Sequence, residues 1–139
     1  MQFYRFYCTF DQGGTNLKKK IYIVEDNEKN LELFIAVLGT MPNIEIFTSI
    51  TGKEGLELIQ SNNPDLIILD IQLPDISGTD ICKAIRKITK FEKTPIIAVS
   101  SFAMKGDKER ILEAGFDYYF SKPLKITYFR EKIQKLLSL

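Results

Sequence analysis

The stretch DLIILDIQLPD, Asp65 to Asp75, decides how this chain is read. Four apolar residues, Leu66 to Leu69, run directly into a carboxylate at Asp70. A short continuous apolar run bounded by loop residues is the pattern of a strand covered on both faces, as in a parallel sheet. Burying such a strand and then ending it on an acid is costly unless something compensates the charge. The run therefore raises two questions: which sheet holds it, and what makes Asp70 tolerable.

Four other runs share the pattern: IYIV (Ile21 to Val24), IEIF (Ile44 to Phe47), IIAV (Ile96 to Val99) and YYF (Tyr118 to Phe120). They recur at intervals of roughly 20 to 30 residues, enough for a strand and a crossover helix. Helical patterns fill the intervals. The first is expected from about Asn27 to Gly39, with Leu31, Phe34, Ile35 and Leu38 at core spacing, and the second from about Gly52 to Ser61. The third begins near Ser77, where Ser77-Gly78-Thr79-Asp80 fits a capping box, and buries Ile81, Ile85 and Ile88. The fourth covers roughly Lys105 to Ala114, with Gly115 placed to end it in a left-handed conformation. The last runs from about Ile126 to Leu137, with Phe129, Ile133 and Leu136 inward. The expected fold is α/β: a five-stranded parallel sheet, doubly wound as (βα)5 and flavodoxin-like, in strand order 2-1-3-4-5. Its ligand site would lie at the carboxyl ends of the strands.

Composition narrows the functional classes. A chain of 139 residues makes one domain. Nineteen basic and 18 acidic residues leave a net charge of +1, which argues against direct nucleic-acid binding. No stretch approaches the roughly 18 apolar residues of a membrane span. Cys8 and Cys82 form no Cys-x-x-Cys pair, so a disulfide framework or zinc site is not expected and a reducing cytoplasm fits. The chain has no histidine. That removes Ser-His-Asp and Cys-His catalysis, His-ligated metals and a phosphohistidine of the chain's own. Any metal would be a hard cation held by oxygen.

The start of the chain stands apart. MQFYRFYCTF carries five aromatics, and DQGGTN reads as a joint before Lys18, Lys19 and Lys20. It lacks the aliphatic core and cleavage site of a secretory signal. Residues 1–18 are read as a flexible tail, with an aromatic docking patch as the sharper alternative.

The residues just past the strands form a chemically coherent set. Val24 precedes Glu25 and Asp26, Leu69 precedes Asp70, Val99 precedes Ser100 and Ser101, and Phe120 precedes Ser121, Lys122 and Pro123. A parallel sheet places all these ends on one edge. Singly, each residue has a structural explanation: Asp26 as a helix cap, Lys122 as a surface lysine, Ser100 as a turn residue. Together they deliver three carboxylates, a hydroxyl and an amine to one crevice. Clustered carboxylates repel, and a divalent cation such as Mg²⁺ relieves the repulsion. Two cations around one carboxylate suit the reception of a transferring phosphoryl group, with Asp70 as candidate nucleophile.

At these residues the sequence resembles the receiver domain of bacterial two-component response regulators. The likeness spans residues 19–139 and rests on VEDN, LIILDIQLPDISG, PIIAVSSFAMKGD and DYYFSKP, in order and at this spacing. It is nearest to stand-alone, single-domain regulators of the cell-cycle type, with the DIQLPxISG and FAMKGD wording. The resemblance implies that Asp70 is the phosphoacceptor. It makes Asp26 a direct Mg²⁺ ligand, Glu25 a ligand through water, and the Gln72 backbone carbonyl a further ligand. Lys122 would pair with the phosphoryl group, and its bond to Pro123 would be cis. Ser100 and Tyr119 match the switch hydroxyl and switch aromatic. Glu25 is a methylene longer than the aspartate often found at its position, and Phe102 is bulky enough to slow hydrolysis of the phosphoryl group.

The expected function is that of a signalling switch rather than a turnover enzyme. A phosphohistidine on a sensor histidine kinase or a histidine phosphotransfer protein would be the donor. With no output domain after Leu139, the expected output is a downstream protein target or phosphoryl relay. Leu33 and Val37 on the first helix are a candidate docking pair, unless they belong to a wide buried stripe, and Lys105, Tyr119 and Tyr128 are candidates for the output face. The alternative is a pseudo-receiver, a protein-interaction module that is not phosphorylated. A haloacid-dehalogenase-type phosphatase would want an acid where Gln72 stands, and a flavodoxin a Ser/Thr/Gly-rich loop where EDNEKN stands.

Overall fold

Alternating short strands and amphipathic helices resolve into a sheet with helices on both faces. The computed structural model describes residues 4–10, 18–101 and 106–137. In chain order the elements are β1 (Tyr4–Cys8), β2 (Lys19–Val24), α1 (Glu28–Leu38), β3 (Ile44–Ser49), α2 (Gly52–Gln60) and β4 (Leu66–Asp70). Next come α3 (Gly78–Arg86), a 3-10 turn (Thr89–Phe91), β5 (Ile96–Ser100), α4 (Asp107–Glu113), β6 (Tyr118–Ser121) and α5 (Ile126–Leu137). The strand order is β1-β3-β2-β4-β5-β6. The five strands from β2 to β6 are parallel and reproduce the expected 2-1-3-4-5 order.

Every residue of β4 and β5 is buried, as their unbroken apolar runs require. Their alternate side chains feed two cores. One, beneath α1 and α5, gathers Ile21, Ile23, Phe34, Ile68, Ile97, Phe129 and Ile133. The other, beneath α2, α3 and α4, gathers Tyr22, Val24, Ile67, Leu69, Ile81, Ile85 and Ile111. Burying each such side chain is worth roughly 1.5–3 kcal/mol, so the four apolar residues before Asp70 outweigh the cost of one compensated acid.

Caps set the helix starts. The Asn27, Thr51 and Ser77 side chains accept from the backbone N–H groups of Asn30, Glu54 and Asp80. Gly115 ends α4 in the left-handed region at φ 110°.

Three local expectations change. The sheet has six strands rather than five, because Tyr4–Cys8, within the segment read as a flexible tail, pairs antiparallel with β3. Its aromatics serve both faces: the Phe6 ring lies 5.0 Å from Phe47, which stacks on Tyr22 at 4.6 Å, while Tyr7 packs on the α1–α5 core. On α1, Val37 is only 5% exposed and belongs to the core, with Leu33 packed against it, so the wide buried stripe describes this pair and Val37 is no docking residue. Ile35 is half-buried instead, and on α5 Leu137 is buried where Leu136 is half-buried.

Gly78 shows how tightly the β4–α3 connection is drawn. Its N–H donates to the Ile71 carbonyl at 2.9 Å, and a methyl group on its Cα would meet the Asp70 carbonyl oxygen at 2.3 Å. That neighbour is backbone at the end of a buried strand and cannot step aside. Gly78→Ala is expected to lower unfolding free energy by about 2 kcal/mol in urea titration, an overpacking cost; an unchanged midpoint would contradict this reading.

Candidate functional site

β2 and β4 are hydrogen-bonded neighbours, with Val24 opposite Leu69, so the residues just beyond each emerge side by side. Glu25 and Asp70 are 1% and 5% exposed, and Asp26 is exposed. One carboxylate oxygen from each of Glu25, Asp26 and Asp70 lies within 4.8 Å of the others. β6 arrives two strands beyond β4 and brings Lys122. Its Nζ lies 2.7 Å from Glu25 Oε1 and 3.2 Å from Asp70 Oδ2. The Lys122 N–H donates to the Ser100 carbonyl at 2.8 Å, which fixes the lysine's backbone to the end of β5. The Lys122–Pro123 bond is cis, as expected.

The loop after β4 is held from several sides. The Gln72 N–H donates to Asp70 Oδ1 at 3.0 Å, which keeps Gln72 beside the carboxylate. The Ile71 N–H donates to the Val99 carbonyl at 3.0 Å. Further along, Asp75 accepts from the N–H groups of Gly52 at 2.7 Å and Lys53 at 2.8 Å, capping α2 from another element. Desolvation raises the Asp75 carboxyl, but backbone N–H groups, those of Lys53 and Gly52 foremost, hold it below its usual range. Asp75 escaped the sequence reading because a cap 23 residues from its helix leaves no local pattern.

Burial pushes the Glu25 carboxyl up to about 8, and its hydrogen bond with the Asp70 carboxyl adds to the rise; Lys122 opposes both without cancelling them. Burial alone would lower Lys122, but Glu25, with Asp70 behind it, holds the ammonium above its ordinary value. Ser100 is 2% exposed and borders a cavity of about 720 Å³ between α3 and α4, shared with Gln72, Thr79, Lys83 and Arg110. Tyr119 is half-buried on β6 opposite Ala98. It shares a second cavity, of about 400 Å³, with Lys125 and Tyr128. The site therefore brings together Glu25, Asp26, Asp70, Gln72 and Lys122, with Ser100 one strand away. Phe102 and Lys105 lie outside the described residues.

A doubly wound sheet with this acidic pair, strand-terminal aspartate and lysine is the arrangement of a receiver domain, and the family profile for the response regulator receiver domain matches residues 21–134. The chain belongs to that family. It is 40% identical over 121 residues to the polar-differentiation response regulator DivK of Brucella ovis, covering 87% of this chain and 98% of that one, and equally to DivK of Brucella melitensis. Among solved structures, the receiver domain of Francisella response regulator 1452 superposes with a TM-score of 0.79 at 27% identity, over 87% of this chain and 98% of that one. The receiver domain of sensor histidine kinase PA1611 from Pseudomonas aeruginosa PAO1, described with magnesium coordinated in its active-site cleft, gives 0.79 at 27%, over 88% and 100%. Among the described residues no helix is long and apolar enough to cross a membrane.

The donor set is all oxygen and three carboxyls strong, which fits a hard divalent cation. Such an ion would require Glu25 as the carboxylate, not its acid, so its binding would displace the proton that burial retains. Glu25 lies above its unfolded value of 4.5, so its contribution to stability is fully present below that value and is lost as pH rises through about 8; a bound cation offsets the loss. Calorimetric Mg²⁺ affinity is expected to be on the order of tenfold weaker at about pH 6.5 than at about pH 9. Glu25→Gln should flatten that dependence. Equal wild-type affinity at both pH values would contradict the assignment.

Proposed function

We propose that this chain is a phosphorylation switch: it accepts a phosphoryl group on Asp70 from a phosphohistidine of a sensor histidine kinase or phosphotransfer protein, in a Mg²⁺-dependent reaction. The observation that carries this reading is the convergence of three carboxyl groups within 4.8 Å, with the Lys122 ammonium against two of them. Glu25, Asp26 and Asp70 would hold the ion, with the Gln72 carbonyl as a further ligand. When bound, the ion supplies charge neutralisation to the carboxylate cluster and to phosphoryl oxygens.

The residues divide the remaining work. An Asp70 carboxylate oxygen forms the new P–O bond as the P–N bond of the donor breaks, and the imidazole nitrogen leaves with that electron pair. Lys122, held on Glu25 and Asp70, is placed to pair with a phosphoryl oxygen, and its backbone tie to Ser100 keeps it at that edge. Apolar packing of β4 fixes Asp70 in position, so little reorganisation accompanies transfer.

The phosphoryl group adds charge and three acceptor oxygens where Asp70 stood alone. Ser100, on the neighbouring strand, is the hydroxyl to answer it, and the cavity beside it leaves room for the loop to rearrange. Tyr119 on β6 is the aromatic to move next, with the surface of β6 and α5 around Tyr128 as the protein-binding output. The chain is thus a cytoplasmic signalling switch, not a turnover enzyme, and its counterparts are a histidine-based donor and a downstream protein.

Incubation with Mg²⁺ and a small acyl phosphate, with intact-mass measurement of the product, tests the reading. One phosphoryl adduct is expected on wild type, none on Asp70→Asn, and at least a roughly tenfold slower appearance on Lys122→Ala. If neither the acyl phosphate nor a phosphorylated histidine kinase modified the wild-type chain, the proposal would be overturned in favour of an unphosphorylated interaction module.

A further inference from the structure

β1 is the outermost strand, and among the described residues it pairs with β3 alone. The Thr9 N–H donates to the Ile44 carbonyl at 2.9 Å, in the register that sets Tyr7 opposite Ile46 and Arg5 opposite Thr48. Antiparallel pairing turns successive peptide groups to opposite sides. Those of Arg5 and Tyr7 therefore face β3, and those of Phe6 and Cys8 face away from the sheet. An open row of donors and acceptors is a template for another strand. Phe6 to Phe10 contains no charge and no proline, although Arg5 lies within the strand. Among the described residues Lys18 brings a charge to this stretch, its Nζ donating to Cys8 Sγ at 3.6 Å.

The side chains obey the same alternation. Phe6 is 50% exposed on one face of the edge with exposed Cys8 two residues on, and Phe10, just past the strand with its carbonyl accepting from the Asn43 N–H at 2.9 Å, is 55% exposed. On this side Phe6 lies against Phe47 of β3, which packs on the core beneath α2, α3 and α4.

The geometry points to a homodimer in which β1 pairs antiparallel with β1 of a second copy, about a twofold axis at Cys8. A twofold contact uses the same patch on both copies, and an antiparallel strand edge is its own complement. The axis at Cys8 sets each Phe6 opposite the partner's Phe10. No other axis along the strand makes that match, which covers four half-exposed rings in two cross-strand aromatic pairs. The four rings contribute on the order of 400 Å². Two short strands added to this stay below the roughly 1,600 Å² of a standard stable interface, so the dimer dissociates on dilution. It lies at the edge of the sheet opposite β6, leaves the β6–α5 surface free, and does not depend on phosphorylation of Asp70.

Sedimentation equilibrium of the full chain, over about two decades of concentration centred near 50 µM, tests this. The weight-average mass should rise from 16.0 kDa toward twice that value. Opposed Cys8 Cα atoms about 5.5 Å apart lie within disulfide range, so the thiol oxidant diamide should trap a Cys8–Cys8 peptide, its reduction to the hydrazine balancing oxidation of the two thiols. Cys82 is buried and should stay free. Cys8→Pro removes an outward-facing N–H without touching the β3 ladder, and Phe10→Lys places like charges at the interface. Both should remain at 16.0 kDa with unchanged circular dichroism. A wild-type chain that stays monomeric throughout, or a dimer that survives either substitution or yields no Cys8 disulfide, would overturn the proposal.

Discussion

Three carboxyl groups within 4.8 Å of one another repel, and the carboxyl edge of this sheet is built around that repulsion. The buried strands β2 and β4 hold Glu25 and Asp70 where they cannot separate, because each is anchored by apolar residues that would have to leave the core to let it move. Lys122 offsets part of the repulsion through contacts of 2.7 and 3.2 Å. It does not offset all of it: Glu25 still holds its proton up to about 8. What remains is a standing attraction for cations at Asp70, set by the packing of the sheet rather than by any one side chain.

That constraint explains features that look unrelated. Gly78 has no side chain because α3 must begin against the Asp70 carbonyl. Asp75 reaches across to the first turn of α2, so the loop carrying Gln72 is fastened at both ends. The Lys122 N–H uses the Ser100 carbonyl, so the cation and the hydroxyl beside the crevice share one backbone link. Moving Asp70 would disturb all three connections, a rigidity that suits the acceptor role proposed for it.

Much of this was legible in the sequence for physical reasons. β2, β4 and β5 announce themselves because burial on both faces demands unbroken apolar runs, and Asp70 is conspicuous because it breaks that rule at a strand end. Glu25, Asp26, Ser100 and Lys122 fall into place once parallel strands are seen to share an edge. The misses are of another kind. β1 was hidden because an edge strand carries aromatics on both faces and lacks the aliphatic run of an interior strand. Val37 and Ile35 exchanged places because a wide helical stripe does not say which flank the neighbouring α5 will cover. Asp75 is invisible locally, since its partners lie on another helix. The proposals made for this chain accordingly concern two ends of the molecule: the charged crevice with its β6–α5 surface, and the strand edge on the far side of the sheet.

The central claim is that Asp70 itself, and not another carboxyl of the cluster, receives the phosphoryl group. Borohydride reduction distinguishes them, because an acyl phosphate is reduced to the alcohol while free carboxylates are untouched. Peptide mapping of the Mg²⁺-phosphorylated, reduced chain is predicted to find homoserine at position 70 and intact acids at Glu25 and Asp26. Reduction at either of those residues, or none at position 70 in a chain that carries the adduct, would contradict the account.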